Sequence, residues 1–360
     1  MTTIRAAVCR AFSEPLAIEE VTLAAPRAGE VRVRMEACAI CHSDISYARG
    51  DWGGALPAVY GHEGVGRIVA TGPGVGHVGP GDRVLVTLIR SCGTCAACAT
   101  AAPCYCTAPA PDSPLSGADG APIAHGLATA GFAEEVIVHA SQLAPVPEDM
   151  PAEAACLLAC GVVTGVGSAV NVARVRSGES VVVIGAGGVG LNAVQGARIA
   201  GAGRIVAVDM TEDKLATARA FGATDGLLAG GEKPWRTLRG MLPHGADVVL
   251  VTVGAIPAVE TGLRFLAPRG RMILVGMPAT GAVATLEPVI LASLGQGMQG
   301  SKMGDTVLAR DIPWLVELWR QGRLHLEPLV SATWPLARIN EAVADTLGGA
   351  ARRNVILFDA

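Results

Sequence analysis

The sequence predicts an α/β fold in two domains, a β-rich one followed by a doubly wound parallel sheet. Three observations carry this. At about 100 to 200 residues per domain, a chain of 360 residues holds two. The first part of the chain, to about Met150, alternates apolar and polar side chains with period two between Gly/Pro-rich breaks. After Arg176 the pattern becomes continuous apolar runs separated by helix-compatible stretches, as in strands buried on both faces of a parallel sheet.

In chain order, Glu30 to Glu36 reads as a half-buried strand, and Thr71 to Gly81 and Pro109 to Pro122 read as loops. Val181 to Ile184 and Ile205 to Val208 are expected to be buried strands on either side of a helix from Gly190 to Ala200. Strands are further expected at Asp247 to Val253 and Arg271 to Val275, and helices at Thr211 to Phe221 and Pro257 to Leu266. The end of the chain holds an amphipathic helix (Ile312 to Gln321) and a strand (Asn354 to Phe358) with no place in that sheet. They are expected to return to the first domain, giving boundaries of 1–161, 162–300 and 301–360.

Composition removes several functions. The 28 basic and 32 acidic residues give a net charge of −4, without a basic run, which argues against nucleic-acid binding. Met1 to Arg10 lacks the apolar core of a secretory signal, so a cytoplasmic location is expected. Ala154 to Ala173 carries no charge, and it is as long as a membrane span. Its glycines at 161, 165 and 167 and its polar Thr164, Ser168 and Asn171 suit a buried packed segment instead.

Val181 to Gly190 is a strand running into G-x-G-x-x-G at Gly185, Gly187 and Gly190. Gly185 permits the tight turn, Gly187 lets a pyrophosphate approach the backbone, and Gly190 lets the helix pack on the strand. Phosphates then sit at the helix N-terminus, where unpaired N–H groups and the dipole favour anions. The motif alone is weak in a chain with 46 glycines. The strand before it, the helix after it, and a second strand ending in Asp209 make it a dinucleotide turn. A carboxylate at Asp209 accepts from ribose hydroxyls and repels a 2′-phosphate, favouring NAD, while the nearby Lys214 keeps some NADP use open.

All ten cysteines lie at or before Cys160, and five fall between Cys92 and Cys106. Cys92, Cys95, Cys98 and Cys106 have the spacing of a closed, structural four-thiolate zinc site, with Cys104 as a rival to Cys106. Cys41, His62 and Cys160 are too dispersed for spacing to join them. As a set, two thiolates and one imidazole leave the fourth zinc position open for substrate. Cys160 alone reads more readily as a core thiol.

These fragments, in this order, resemble the zinc-dependent medium-chain alcohol dehydrogenases (medium-chain dehydrogenase/reductase family) along nearly the whole chain. The similarity covers Cys41 to Asp44, Gly50 to Trp52, Gly61 to Glu63, the four-cysteine loop, Cys160 to Val170, the glycine turn, Val275 to Pro278 and the closing strand. It implies a GroES-like catalytic domain and a Rossmann cofactor domain, two zinc ions per chain, NAD(H), a small alcohol or aldehyde substrate, and a homodimer or homotetramer. Cys41, His62 and Cys160 match the catalytic zinc ligands, Glu63 the acid that approaches the metal, and Asp44 the carboxylate that orients the histidine. Ser43 matches the hydroxyl that bonds the substrate oxygen and carries its proton outward. Thr164, Gly188, Val189 and Val275 fall at cofactor contacts, and Arg353 where an arginine meets the pyrophosphate. Cys156 competes with Cys160, but the register to Thr164 and Gly165 selects Cys160.

Two positions depart from the family pattern. Many relatives end the proton relay on a histidine where this chain has Ser46, so the relay ends on water or another group. His42 stands where some relatives have an arginine on the pyrophosphate, implying faster cofactor release. The pocket positions Trp52, Leu88 and Phe132 are apolar and suit an alkyl, allylic or aryl alcohol. The length between Cys106 and Phe132 is closer to the thiol-adduct formaldehyde dehydrogenases. Yet Ala110 stands where that class places an arginine, and Cys106 to Gly131 has no Lys or Arg, so a free alcohol is expected. A non-catalytic, zinc-stabilised dinucleotide sensor is the alternative of another class.

Overall fold

In the computed structural model, which describes residues 1–359, the chain divides after Cys160 and again before Val307. The return to the first unit thus falls six residues later than the 301 expected from sequence.

The first unit, Met1–Cys160 with the chain from Val307 onward, holds two β-layers. Strands Thr2–Cys9, Ala17–Leu23, Leu115–Ser116, Pro122–His125 and Ala58–Val59 close into a small barrel. A second sheet runs in the order Leu143–Pro145, Arg83–Thr87, Glu63–Thr71, Glu30–Ala39, Arg353–Leu357 and Val330–Pro335, with Glu135–His139 also on Glu30–Ala39. The strand expected at Glu30 to Glu36 runs on to Ala39, because Ala37, Cys38 and Ala39 are small enough to be buried on both faces. The closing strand pairs antiparallel with it, Val355 opposite Ala39. Sequence-distant ends of the chain thus form adjacent strands.

The second unit, Gly161–Thr306, is built on six parallel strands in the order Asp225–Leu228, Arg204–Asp209, Ser180–Ile184, Ala246–Val251, Leu266–Leu274 and Gly297–Gly300. Val181, Val182 and Val183 have no exposed surface, as a central strand covered by helices requires. The order reverses at Ser180–Ile184, the point where doubly wound sheets bind ligands beyond the strands' C-terminal ends.

Leu266, expected as the last residue of a helix, is instead the first of a strand. The helix Ile256–Phe265 ends there as Leu266 turns to φ −65°, ψ 141°. The edge strands Asp225–Leu228 and Gly297–Gly300 have no counterpart in the sequence pattern; the latter has no β-branched and no buried residue, so it gives no signal. Ala282 to Leu286, which reads as β-like, forms no strand, and the sheet edge is Gly297–Gly300.

The uncharged stretch is broken at Cys160, where a 3-10 turn (Cys156–Ala159) gives way to the helix Gly161–Gly167, and both pieces are buried. Among the described residues no single helix is long and apolar enough to cross a membrane; the bent pair Ala152–Ala159 and Gly161–Val172 passes only when taken together.

Candidate active site and cofactor turn

Asp44 organises the first cluster. Helix His42–Arg49 starts at the N-cap Cys41, and the Asp44 side chain at the third position accepts the Cys41 N–H at 3.0 Å, one half of a capping box. The carboxylate is 2% exposed. Its other oxygen accepts the Gly61 N–H and faces His62 Nδ1, each at 2.9 Å. One side chain thus fixes the backbone at Cys41 and the ring of His62. With Nδ1–H donating to Asp44, the imidazole's free lone pair lies on Nε2, which is buried and has no hydrogen-bond partner.

Ligand atoms of Cys41, His62, Glu63 and Cys160 lie within 4.8 Å of one another, all buried. A hydrogen bond with Cys160 holds the Cys41 thiol well below its usual range, and the same contact with burial pushes Cys160 well above it. The pair therefore shares a proton that a dication would displace. Glu63 is fully buried with neither oxygen hydrogen-bonded, and burial raises its pKa to about 8 against the pull of Arg353. An orphaned Nε2 facing two thiols fits a tetrahedral zinc with an open fourth position.

Cys92, Cys95, Cys98 and Cys106 form a second group, half-buried, also within 4.8 Å. The Sγ atoms of Cys92 and Cys98 are 4.0 Å apart and those of Cys95 and Cys106 are 3.9 Å apart. A tetrahedron with Zn–S of about 2.3 Å has edges of about 3.8 Å, so the loop is already shaped for the ion. Cys106, not Cys104, completes it; Cys104 is buried. Backbone N–H groups, led by that of Thr107, bring Cys95 down to about 5, and those led by Thr94 bring Cys92 down to about 7.

The family resemblance sets Arg353 against a pyrophosphate. Here its guanidinium is buried in the first cluster, Nη2 3.6 Å from Glu63, and its Nε and Nη2 lack hydrogen-bond acceptors. This pairing of Glu63 with Arg353 has no sequence signal. Ser43 and Ser46 lie on helix His42–Arg49, half-buried, with His42 exposed at its start. Trp52 packs edge-on against Tyr47 at 5.1 Å, and Leu88 follows strand Arg83–Thr87. Phe132 is 1% exposed and belongs to the apolar core, packed so tightly on Gly61 that a Cβ there would lie 2.7 Å from its ring.

In the second unit the glycine turn follows strand Ser180–Ile184. Gly185 has φ +96°, and a Cβ on Gly190 would lie 1.8 Å from the Gly185 carbonyl oxygen, so helix Gly188–Ile199 packs too closely for any other residue there. A Cβ on Gly187 would meet nothing within 4 Å. The turn is open on that side, which fits a phosphate approaching the backbone. Asp209 ends the adjacent strand; its oxygens accept the N–H groups of Ala186 at 2.6 Å and Met210 at 2.7 Å, and Lys214 Nζ lies 3.8 Å away. Each oxygen keeps a second lone pair for a ribose hydroxyl. Thr164 is brought beside Val189 by Gly165, whose Cβ would lie 2.4 Å from the Val189 carbonyl, while Val275 follows strand Leu266–Leu274.

Residues 27–148 match the alcohol dehydrogenase GroES-like domain family and residues 188–320 the zinc-binding dehydrogenase family. The chain is 36% identical over 368 residues to an S-(hydroxymethyl)glutathione dehydrogenase of Haemophilus influenzae, covering 98% of this chain and 97% of the relative. Among solved structures it is similar to an alcohol dehydrogenase zinc-binding domain protein from Burkholderia ambifaria (TM-score 0.95, 35% identity, all of both chains). It is likewise similar to benzyl alcohol dehydrogenase from Acinetobacter calcoaceticus (TM-score 0.93, 30% identity, all of both chains). With two thiol clusters shaped for zinc and a dinucleotide turn, the chain belongs to the zinc-dependent medium-chain alcohol dehydrogenases, oxidoreductases that act on CH–OH groups with NAD(H).

Proposed function

We propose that this enzyme oxidises a free apolar primary alcohol, alkyl, allylic or aryl, to the aldehyde with NAD, and runs in reverse as an aldehyde reductase. The observation that carries the choice of a free alcohol is the segment Cys106 to Gly131, which contains no Lys or Arg. The arginines that reach it are engaged: Arg27 bonds Glu30 and the Asp112 carbonyl, and Arg90 the Pro109 carbonyl. The segment itself supplies no cation for the carboxylates of a thiol adduct.

Cys41, His62 and Cys160 would hold the catalytic zinc, and Cys92, Cys95, Cys98 and Cys106 the structural one. When bound, zinc supplies Lewis acidity to the alcohol oxygen and NAD accepts the hydride. The chain's own residues orient and exchange protons. Asp44 fixes the His62 tautomer and ring. Ser43 Oγ takes the alcohol's proton and passes it outward, and Ser46 cannot act as the terminal base near neutrality. Glu63, backed by Arg353, places a carboxylate beside the ligand set. Gly185, Gly187, Gly188 and Gly190 cradle the pyrophosphate; Asp209 and Lys214 face the adenosine ribose; Thr164, Val189 and Val275 position the nicotinamide; His42 adds a phosphate contact. Trp52 and Leu88 shape the alcohol pocket, with Phe132 in the core behind it.

The similarity to S-(hydroxymethyl)glutathione dehydrogenases supports a second reading, in which the substrate is a thiol adduct of formaldehyde. Steady-state assays separate the two. Benzyl, allyl and alkyl alcohols are expected to turn over without added thiol; formaldehyde oxidation that requires glutathione, with no activity on free alcohols, would reverse the assignment.

We also place the enzyme in the cytoplasm, where thiolate ligands stay reduced, as a homo-oligomer. The occupant proposed for the sheet edge Gly297–Gly300 is a second copy, because all four of its residues are exposed and the segment before it in the chain exposes apolar Val283 (80%) and Val289 (70%). Light scattering on Val289→Arg should show a smaller assembly than the wild type.

A further inference from the structure

Thr87 and Gln142 have no place in the chemistry above, yet both are buried to 1% exposure or less, Thr87 next to the Cys41–His62–Cys160 cluster and Gln142 behind it. Thr87 ends strand Arg83–Thr87 and stands directly opposite Glu63 in the antiparallel ladder, so its backbone is in register with the residue after His62. Its Oγ donates to the Ala159 carbonyl at 2.6 Å. Ala159 is the last residue of the turn Cys156–Ala159, and Cys160 follows at φ −146°, ψ −67°, outside regular helix. That carbonyl bond ties the Cys160 bend to the strand pair bearing His62. The Thr87 carbonyl in turn accepts from Gln142 Nε2 at 2.9 Å, whose other proton goes to the Ala128 carbonyl at 2.8 Å, while Gln142 Oε1 accepts the His139 N–H at 3.1 Å. Every polar atom of this amide is used. A buried chain of hydrogen bonds thus runs from Gln142 through Thr87 to the residue before a ligand.

We infer that Thr87, held by Gln142, is a positioning residue that sets the place of the Cys160 thiolate relative to His62 and so governs retention of the zinc at this cluster. The inference rests on the ligand set proposed above. Outer bonds of this kind typically change metal affinity by about 10–100-fold when lost. Thr87→Val keeps the shape, deletes the donor and leaves the Ala159 carbonyl buried without it; Thr87→Ser restores the donor.

The test measures zinc release from the intact holoenzyme to a chromogenic chelator, together with the visible spectrum of the cobalt-substituted protein. In that spectrum a site of two thiolates and an imidazole is distinct from one of four thiolates. In Thr87→Val the metal at Cys41, His62 and Cys160 should leave about tenfold faster or more with an altered cobalt band. The metal of the four-cysteine loop should be unchanged, and Thr87→Ser should behave like the wild type. Gln142→Met, which keeps the volume and deletes the amide, should shift the same site in the same direction and serves if Thr87→Val does not fold. Unchanged release and spectrum, or equal loss from both sites, overturns the brace. A wild-type chain that never takes up a second zinc overturns the ligand assignment itself. A folded Thr87→Val holding a normal second zinc overturns only the brace.

Discussion

Replacing Asp44 by asparagine keeps the volume and removes the charge from a group that accepts three N–H bonds: Cys41 N–H on one oxygen, Gly61 N–H and His62 Nδ1–H on the other. The amide has one oxygen. Turned toward Gly61 and His62 it keeps two bonds, and its NH2 then meets the Cys41 N–H, donor against donor. The loss of one bond to a charged acceptor is about 1.5–3 kcal/mol, and each 1.4 kcal/mol is about tenfold in binding. Competition with a chelator should therefore show the zinc at Cys41, His62 and Cys160 bound about 10–100-fold more weakly, with activity falling as that zinc is lost. The four-cysteine zinc, which Asp44 does not touch, should be retained. Melting of the zinc-depleted protein, measured alongside, separates the share lost from the helix cap. If Asp44→Asn folds and its second zinc affinity changes by less than about threefold, under about 0.7 kcal/mol, the carboxylate's bond to Cys41 is not what sets that ligand and the reasoning fails.

Gly187→Ala should leave the melting temperature unchanged and weaken NADH binding, because its Cβ meets no protein atom; Gly190→Ala should lower stability itself, its Cβ falling 1.8 Å from a carbonyl oxygen. Equal effects of the two on melting would contradict this. His42→Arg should tighten NADH by up to about fivefold at pH 8, because a guanidinium keeps its full charge there and an exposed ion pair adds about 0.2–1 kcal/mol; an unchanged dissociation constant sinks it. Burial brings His125 down from 6.5 to about 4, so the folded state resists a proton that the unfolded chain accepts. Its contribution is complete above pH 6.5 and is lost as pH falls toward 4, by up to about 3 kcal/mol at about 1.36 kcal/mol per unit. Urea midpoints at pH 7 and 5 should differ less in His125→Gln than in the wild type, and an equal difference would remove His125 as the cause.

The parts of this molecule legible in its sequence are those whose physics is local. The glycine turn is one, since Gly185 and Gly190 are demanded by a positive φ and a 1.8 Å approach within a single turn. The four-cysteine loop is another, for all its ligands fall between Cys92 and Cys106 and a short chain fixes their tetrahedral spacing. The buried parallel strands are a third, because burial on both faces leaves an unbroken apolar run. Edge strands such as Gly297–Gly300 are illegible for the opposite reason, having no buried face to leave a pattern.

The substrate-side cluster shows why chemistry is harder to read than fold. Its ligands come from a helix N-cap (Cys41), the residue before a strand (His62) and the end of a 3-10 turn (Cys160), three positions with no common period. Nothing in their spacing joins them, and only the resemblance to a family does so in advance. What joins them physically is a set of buried polar bonds from residues that are not ligands. Asp44 links Cys41 to His62, Thr87 links the strand pair to the Cys160 bend, and Arg353, from the far end of the chain, offsets Glu63. Each has a partner on another element, and for Arg353 that partner lies most of the chain away. Legibility therefore follows the sequence separation of the bond that holds a residue, and the residues we propose brace the metal ligands are the ones least visible before folding.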